Sequence, residues 1–102
     1  LPFIPAHLGR WWGTNPAIRA QDDVDILGLS EDGTQAIFCE CKYRNQPMPM
    51  AEYDDLVTAS MAFPKVKEKY FYFFSKGGYT DSVIERAKRE GAPLLTVSDL
   101  YE

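Results

Sequence analysis

The sequence holds a single histidine, His7, and two cysteines, Cys39 and Cys41, and this scarcity removes several kinds of site at once. Zinc sites draw mainly on Cys and His, and a Ser/His/Asp triad would have to recruit His7 itself. His7 is read as a surface or packing residue. The cysteines stand one residue apart, so on an extended strand they share a face without being placed for an easy disulfide, and they are read as reduced core thiols. No apolar run approaches the roughly 18 residues of a membrane span, and the most apolar stretch, Tyr70 to Phe74, is short and aromatic. An excess of positive charge is lacking as well. The net charge of −4 argues against a uniformly basic nucleic-acid-binding face but not against a metal site, which requires clustered carboxylates. The GxxxxGK[ST] spacing of a phosphate-binding loop is absent, so no nucleotide site is expected. Repeats, low-complexity tracts and linkers are missing too.

What remains is the composition of a folding domain: 102 residues, 45% hydrophobic and 25% charged, with six Tyr, six Phe and two Trp to fill a small core. Residues 1–102 are read as one domain of a longer chain, since the sequence begins with Leu1 and carries no signal-peptide pattern. It is expected to be soluble and cytoplasmic, with no membrane partner.

Prolines 2 and 5 make Leu1 to Pro5 an extended lead-in, and Leu8 to Gly13 is read as a strand. Trp11 and Trp12 must then point to opposite sides, which favours packing over a base-stacking platform. Asp23 to Leu29 reads as a mostly buried strand, with Val24, Ile26 and Gly28 on one face and Asp25, Leu27 and Leu29 on the other. Asp-Gly at 32 and 33 centres a hairpin, and Gln35 to Lys42 returns. Tyr53, Leu56, Val57, Ser60 and Met61 lie at helical spacing within Ala51 to Phe63, stopped by Pro64. Lys69 to Ser75 is aromatic on both faces, as a central strand covered on both sides would be. Thr80 caps a helix running to about Glu90, Gly91 stops it, a strand follows at Pro93 to Val97, and Ser98 or Asp99 caps a last turn. The predicted order β-β-β-α-β-α-β, with parallel later strands, describes an α/β fold with a mixed central sheet flanked by helices.

Within that frame, alternation places Ala36, Phe38, Glu40 and Lys42 on one face of the return strand and Ile37, Cys39 and Cys41 on the other. Asp25 lies across the hairpin, in a segment with little reason to bury a carboxylate unless it is paired or bound to a cation. Adjacent carboxylates resist joint ionisation, and a divalent cation relieves that cost, so Asp25 and Glu40 are candidate ligands for Mg²⁺ or Mn²⁺. Lys42 is placed to orient a water or stabilise charge on phosphorus, and the implied chemistry is phosphodiester hydrolysis. Arg44, Asn45 and Gln46, directly after the site, are candidate contacts to a nucleic-acid backbone or to the groups around the metal, and Lys76, before a helix N-terminus, is a further candidate backbone contact. Simpler readings stand beside these: a cross-strand charge pair for Glu40 and Lys42, and a polar loop for 44–46.

Asp25, the Asp-Gly hairpin and Glu40-Cys41-Lys42 resemble the Asp…(Asp/Glu)-x-Lys signature of the PD-(D/E)XK, or restriction-endonuclease-like, nuclease superfamily. GRWWGTNP at 9–16, DVDILGL at 23–29, ECKYRN at 40–45 and FSKGGYT at 74–80 resemble, more specifically, the nuclease-like domain at the C-terminus of archaeal and bacterial P-loop ATPases. The resemblance implies a restriction-endonuclease-like core, Asp25 and Glu40 as metal ligands, Lys42 as the catalytic lysine and DNA as substrate. That family's core opens with a helix bearing one more acidic residue, and no helix is expected here before Leu8. The alternative expectation is a non-catalytic interaction or regulatory domain of an attached P-loop ATPase, acting through self-association as a homodimer, favoured by net acidity and the absent first helix. A third is a structural domain in which Asp25 pairs with Lys42.

Overall fold

A computed structural model describes residues 1–101, with side chains to residue 99. The strands are β1 (His7–Asn15), β2 (Ala20–Leu29), β3 (Gln35–Lys42), β4 (Glu68–Ser75) and β5 (Leu94–Leu95). Helices α1 (Met50–Ser60) and α2 (Asp81–Glu90) connect the later strands, and a 3₁₀ turn, Val97–Tyr101, follows β5. The sheet runs β1-β2-β3-β4-β5. Its first two pairings are antiparallel, as hairpins require, and β3/β4 and β4/β5 are parallel, as helical crossovers require. None of the helices among the described residues is long and apolar enough to cross a membrane.

Local chemistry accounts for most of these boundaries. At the β2–β3 turn Gly33 takes a positive φ of 73°, and the Asp32 carboxylate accepts bonds from the Thr34 N–H and the Ser30 hydroxyl. Helix α2 begins after Thr80 with Asp81 in its first turn and ends at Gly91, whose φ of 70° is the left-handed cap expected there.

Helix α1 stops at Ser60, short of the expected Phe63, because Phe63 precedes a proline and is drawn off to pack on Trp11 at 4.8 Å and Phe38 at 5.7 Å. Met61 is therefore an exposed C-cap and not a helix-to-sheet contact. Strand β5 keeps only two of its five expected residues. Asp99 accepts the Thr96 N–H and hydroxyl, which bends the chain into the 3₁₀ turn.

Both crossovers run the same way across β3, β4 and β5, so both helices lie on one face of the sheet. Beneath them Tyr53 stacks on Phe73 at 4.4 Å, and Arg86 lies 4.3 Å above the Tyr53 ring. Among the described residues no α-helix packs on the other side of β4, where Phe3 of the lead-in lies 6.1 Å from Tyr70 and Tyr43 5.3 Å from Phe74, and Phe74 is buried there, so the strand is covered on both sides at its C-terminal half.

The expected faces of β2 also need correction. Gly9 pairs with Leu27 and Trp11 with Val24, so Arg10 stands opposite two residues, Asp25 and Ile26. This bulge slips the alternation by one, putting Val24 and Leu27 together in the core and turning Ile26 to the helix-free face. Beyond it the β1–β2 ribbon curls over α1, where Trp11 meets Phe63 and the buried Asn15 amide donates to the Thr58 carbonyl at 2.8 Å. Trp12 points the opposite way and is exposed, so only one member of the tandem pair packs.

Candidate active site

The bulge decides where Asp25 goes. The β2/β3 ladder ends at Ile26 and Cys39, leaving the next inward N–H of β3, that of Cys41, without a backbone acceptor. The Asp25 carboxylate takes that place, accepting the Cys41 N–H at 2.9 Å. It is thereby fixed beside Glu40, whose side chain is only 15% exposed. Burial, followed by hydrogen bonding to and repulsion from Asp25, pushes the Glu40 carboxyl up to about 7, against a smaller downward pull from Lys42. Burial works against the charge of Lys42, but Glu40 at 3.3 Å more than offsets this and holds the ammonium above its usual range. The lysine partner is thus Glu40, not Asp25, which removes the simple Asp25–Lys42 pair from consideration.

Glu40 and Lys42 open into a cleft of about 290 Å³ between the sheet and α1, lined also by Asp22, Asp23, Glu52 and Asp55. Glu52 and Asp55 are three residues apart on one helix, so both face the cleft. That spacing is visible in the sequence, but nothing local says which way the helix face points, and reading by motif passed over them. One oxygen of Glu52 is bonded to Arg44, while the other is buried without a hydrogen-bond partner. Among the described residues, no group of three or more His, Cys, Asp or Glu side chains is placed to hold a metal ion.

Arg44, one of the candidate contacts to a phosphate backbone or to groups around the metal, is paired with Glu52, which lines the cleft. Asn45, Gln46 and Lys76 are exposed and lie together. Gly77 is packed so closely beneath the carbonyls of Asn45 and Gln46 that any β-carbon would overlap them. The Lys76 N–H donates to the Lys42 carbonyl at 2.9 Å, which joins this loop cluster to the end of β3. On the opposite face the thiols of Cys39 and Cys41 share a hydrogen bond at 3.8 Å and form no disulfide. Burial, with the neighbouring Cys41, pushes the Cys39 thiol up to about 12, and burial raises Cys41 as well, so both stay protonated and turned away from the cleft. His7 is exposed on β1, far from any role in this arrangement.

Residues 1–55 match the family model DUF234, described as archaea bacterial proteins of unknown function. The chain belongs to this family. Its fold is shared with the crystal structure of AF1548, a protein of unknown function, at a TM-score of 0.65 and 14% identity over 90% of this chain and 50% of that one. It is shared also with EndoMS, solved in complex with dsDNA, at a TM-score of 0.54 and 14% identity over 90% of this chain and 37% of EndoMS. The chain therefore spans about half of AF1548 and little more than a third of EndoMS. No curated protein sequence matches.

Proposed function

We propose that this DUF234 chain is a metal-dependent phosphodiester hydrolase acting on DNA, of the PD-(D/E)XK type. The observation that carries the reading is the bulge at Asp25 and Ile26, which spends a ladder position to set one carboxylate against another on the face of the catalytic-type lysine. A bulge beside a functional group is a usual way for a sheet to re-aim a side chain. The fold shared with a protein solved on dsDNA supports the choice of DNA over other phosphodiesters.

The donor set suits Mg²⁺ or Mn²⁺. Hard carboxylate oxygens from Asp25 and Glu40 would hold the cation, with water filling most remaining positions. Glu52 shares the cleft with Glu40, and its orphaned oxygen could accept a bond from a water held there. When bound, the cation supplies charge for a phosphate oxygen and acidity for a water. Lys42, held on the same face by Glu40 at 3.3 Å, would orient the attacking water and stabilise charge developing on phosphorus. Asn45, Gln46 and Lys76 hold the strand backbone beside the cleft. The acidic lining would repel phosphate without the cation, so binding of DNA and of metal should be coupled.

Calorimetric titration with Mn²⁺ tests the metal reading without knowledge of a preferred DNA. Saturable binding that disappears in both Asp25→Ala and Glu40→Ala is expected, followed by Mn²⁺-dependent nicking of plasmid DNA by the intact protein. Absence of binding by the intact protein would refute the assignment and leave the alternative of a non-catalytic domain serving an attached P-loop ATPase.

A further inference from the structure

The fold sets the two cysteines of this sequence, Cys39 and Cys41, side by side on the sheet face turned away from the cleft, with their sulfurs 3.8 Å apart. Neither thiol has a part in the chemistry proposed for Asp25, Glu40 and Lys42. Glu40 nevertheless lies between them in the chain, and the Cys41 N–H is the donor that fixes Asp25 at 2.9 Å. A change of bonding at the sulfurs therefore reaches the backbone that holds both carboxylates.

The spacing permits such a bond. Two residues along an extended strand separate α-carbons by about 6.6 to 6.8 Å. That is the long end of the roughly 4.4 to 6.8 Å that a disulfide spans, and beyond its usual 5.5 to 6 Å. Bonding the sulfurs at about 2 Å thus draws the strand in by about 1 Å between residues 39 and 41. The two edges of β3 resist this unequally. Pairing with β4 continues through Lys42 and Ser75, whereas pairing with β2 ends at Ile26 and Cys39. Past that point the β2-facing N–H of Cys41 is held by the Asp25 carboxylate and by no ladder bond, so the strand gives way there first.

We infer that Cys39 and Cys41 form a reversible dithiol–disulfide pair whose oxidation pulls the Cys41 N–H away from Asp25 and separates that carboxylate from Glu40. The oxidant is a low-molecular-weight disulfide. The half-buried Cys41, as thiolate, attacks one of its sulfurs and releases the other as a thiolate, which takes up a proton. Cys39 then gives its proton to solvent, attacks the Cys41 sulfur and expels the second small thiol. Two protein thiols become one disulfide, and one small disulfide becomes two thiols. A small dithiol reverses each step. The pair stands whether or not the cleft is catalytic, and only its effect on a bound cation rests on the metal reading above.

Incubation of the protein with oxidised glutathione tests this. Burial keeps both thiols protonated and the exchange slow, so the reaction is followed to a constant end point. Mass spectrometry should find a single chain lighter by two hydrogens and without reactive thiols, restored by dithiothreitol. Amide hydrogen exchange at residue 41 should speed up about tenfold or more on oxidation, with an unchanged circular dichroism spectrum. Cys41→Ala keeps the N–H and lacks the sulfur, so its residue-41 amide should not respond to the oxidant. Mn²⁺ affinity should fall by a comparable factor in the oxidised protein. A reduced protein that binds no Mn²⁺ would defeat the metal reading, with the sulfur bond still decided by mass and amide exchange. Thiols that stay free, glutathione retained at the end point, cross-linked chains or a general loss of fold would each overturn the inference. So would a disulfide that leaves the residue-41 amide as protected as before, or an oxidised form that binds Mn²⁺ as tightly as the reduced one.

Discussion

Replacing Asp25 by Asn should make the protein more stable at pH 8 while removing one ligand of the proposed metal site. The reasoning starts from Glu40, which in the folded chain titrates at about 7 against an ordinary 4.5. A carboxyl raised on folding keeps its proton in the native state after the unfolded chain has lost it. Native stability is therefore highest below pH 4.5 on this account, declines as pH rises through 4.5 to 7, and stays reduced above 7. Each unit is worth about 1.4 kcal/mol. Burial is the larger cause and persists in the variant, and the residual exposure of Glu40 screens part of the remainder, so the share due to Asp25 is about 1 kcal/mol. Asn retains an oxygen to accept the Cys41 N–H, so the ladder end is kept while the charge is removed. Thermal melts without divalent cations at pH 5 and pH 8 read the difference. Asp25→Asn should gain about 4 to 8 °C relative to the parent at pH 8 compared with pH 5. Equal changes at the two pH values, or a loss at pH 8, would refute the coupling between the two carboxylates.

Lys42→Ala should leave folding and Mn²⁺ binding in place and reduce plasmid cleavage by about 100-fold or more, and retained cleavage would sink its assigned role. Asn15→Ala strips a fully buried amide that bonds the Asp22 carboxylate, the Thr58 carbonyl and the Ala17 N–H, and urea denaturation should show a loss of about 2 kcal/mol. Gly77→Ala drives a methyl group into the Asn45 and Gln46 carbonyls and should cost about 1 to 3 kcal/mol, with weaker DNA binding from the displaced 44–46 loop. An unchanged urea midpoint in either of these last two variants would contradict the packing described.

Much of this architecture was legible in the sequence because the signals are local. Asp32-Gly33 fixes a tight turn, and period-two alternation then commits Glu40 and Lys42 to one face and the two thiols to the other, as observed. Two helical segments between later strands imply parallel pairing, and Gly91 marks a helix end through its own backbone freedom. The readings that failed concern partners distant in sequence. Phe63 leaves its helix for Trp11, and Ile26 changes face because β1 offers one residue where β2 has two.

By itself, then, the sequence determined the order of the elements, the mixed pairing of the sheet and the shared face of Glu40 and Lys42, since each follows from turn chemistry, chain direction or the pleat. Only the tertiary structure decided that Asp25 would stand against Glu40, that Glu52 and Asp55 would close the opposite wall, and that α1 and α2 would both pack on one face of the sheet. Those outcomes depend on how strands register and on which side crossovers pack, and such choices are made between segments, where no single stretch of residues holds the information.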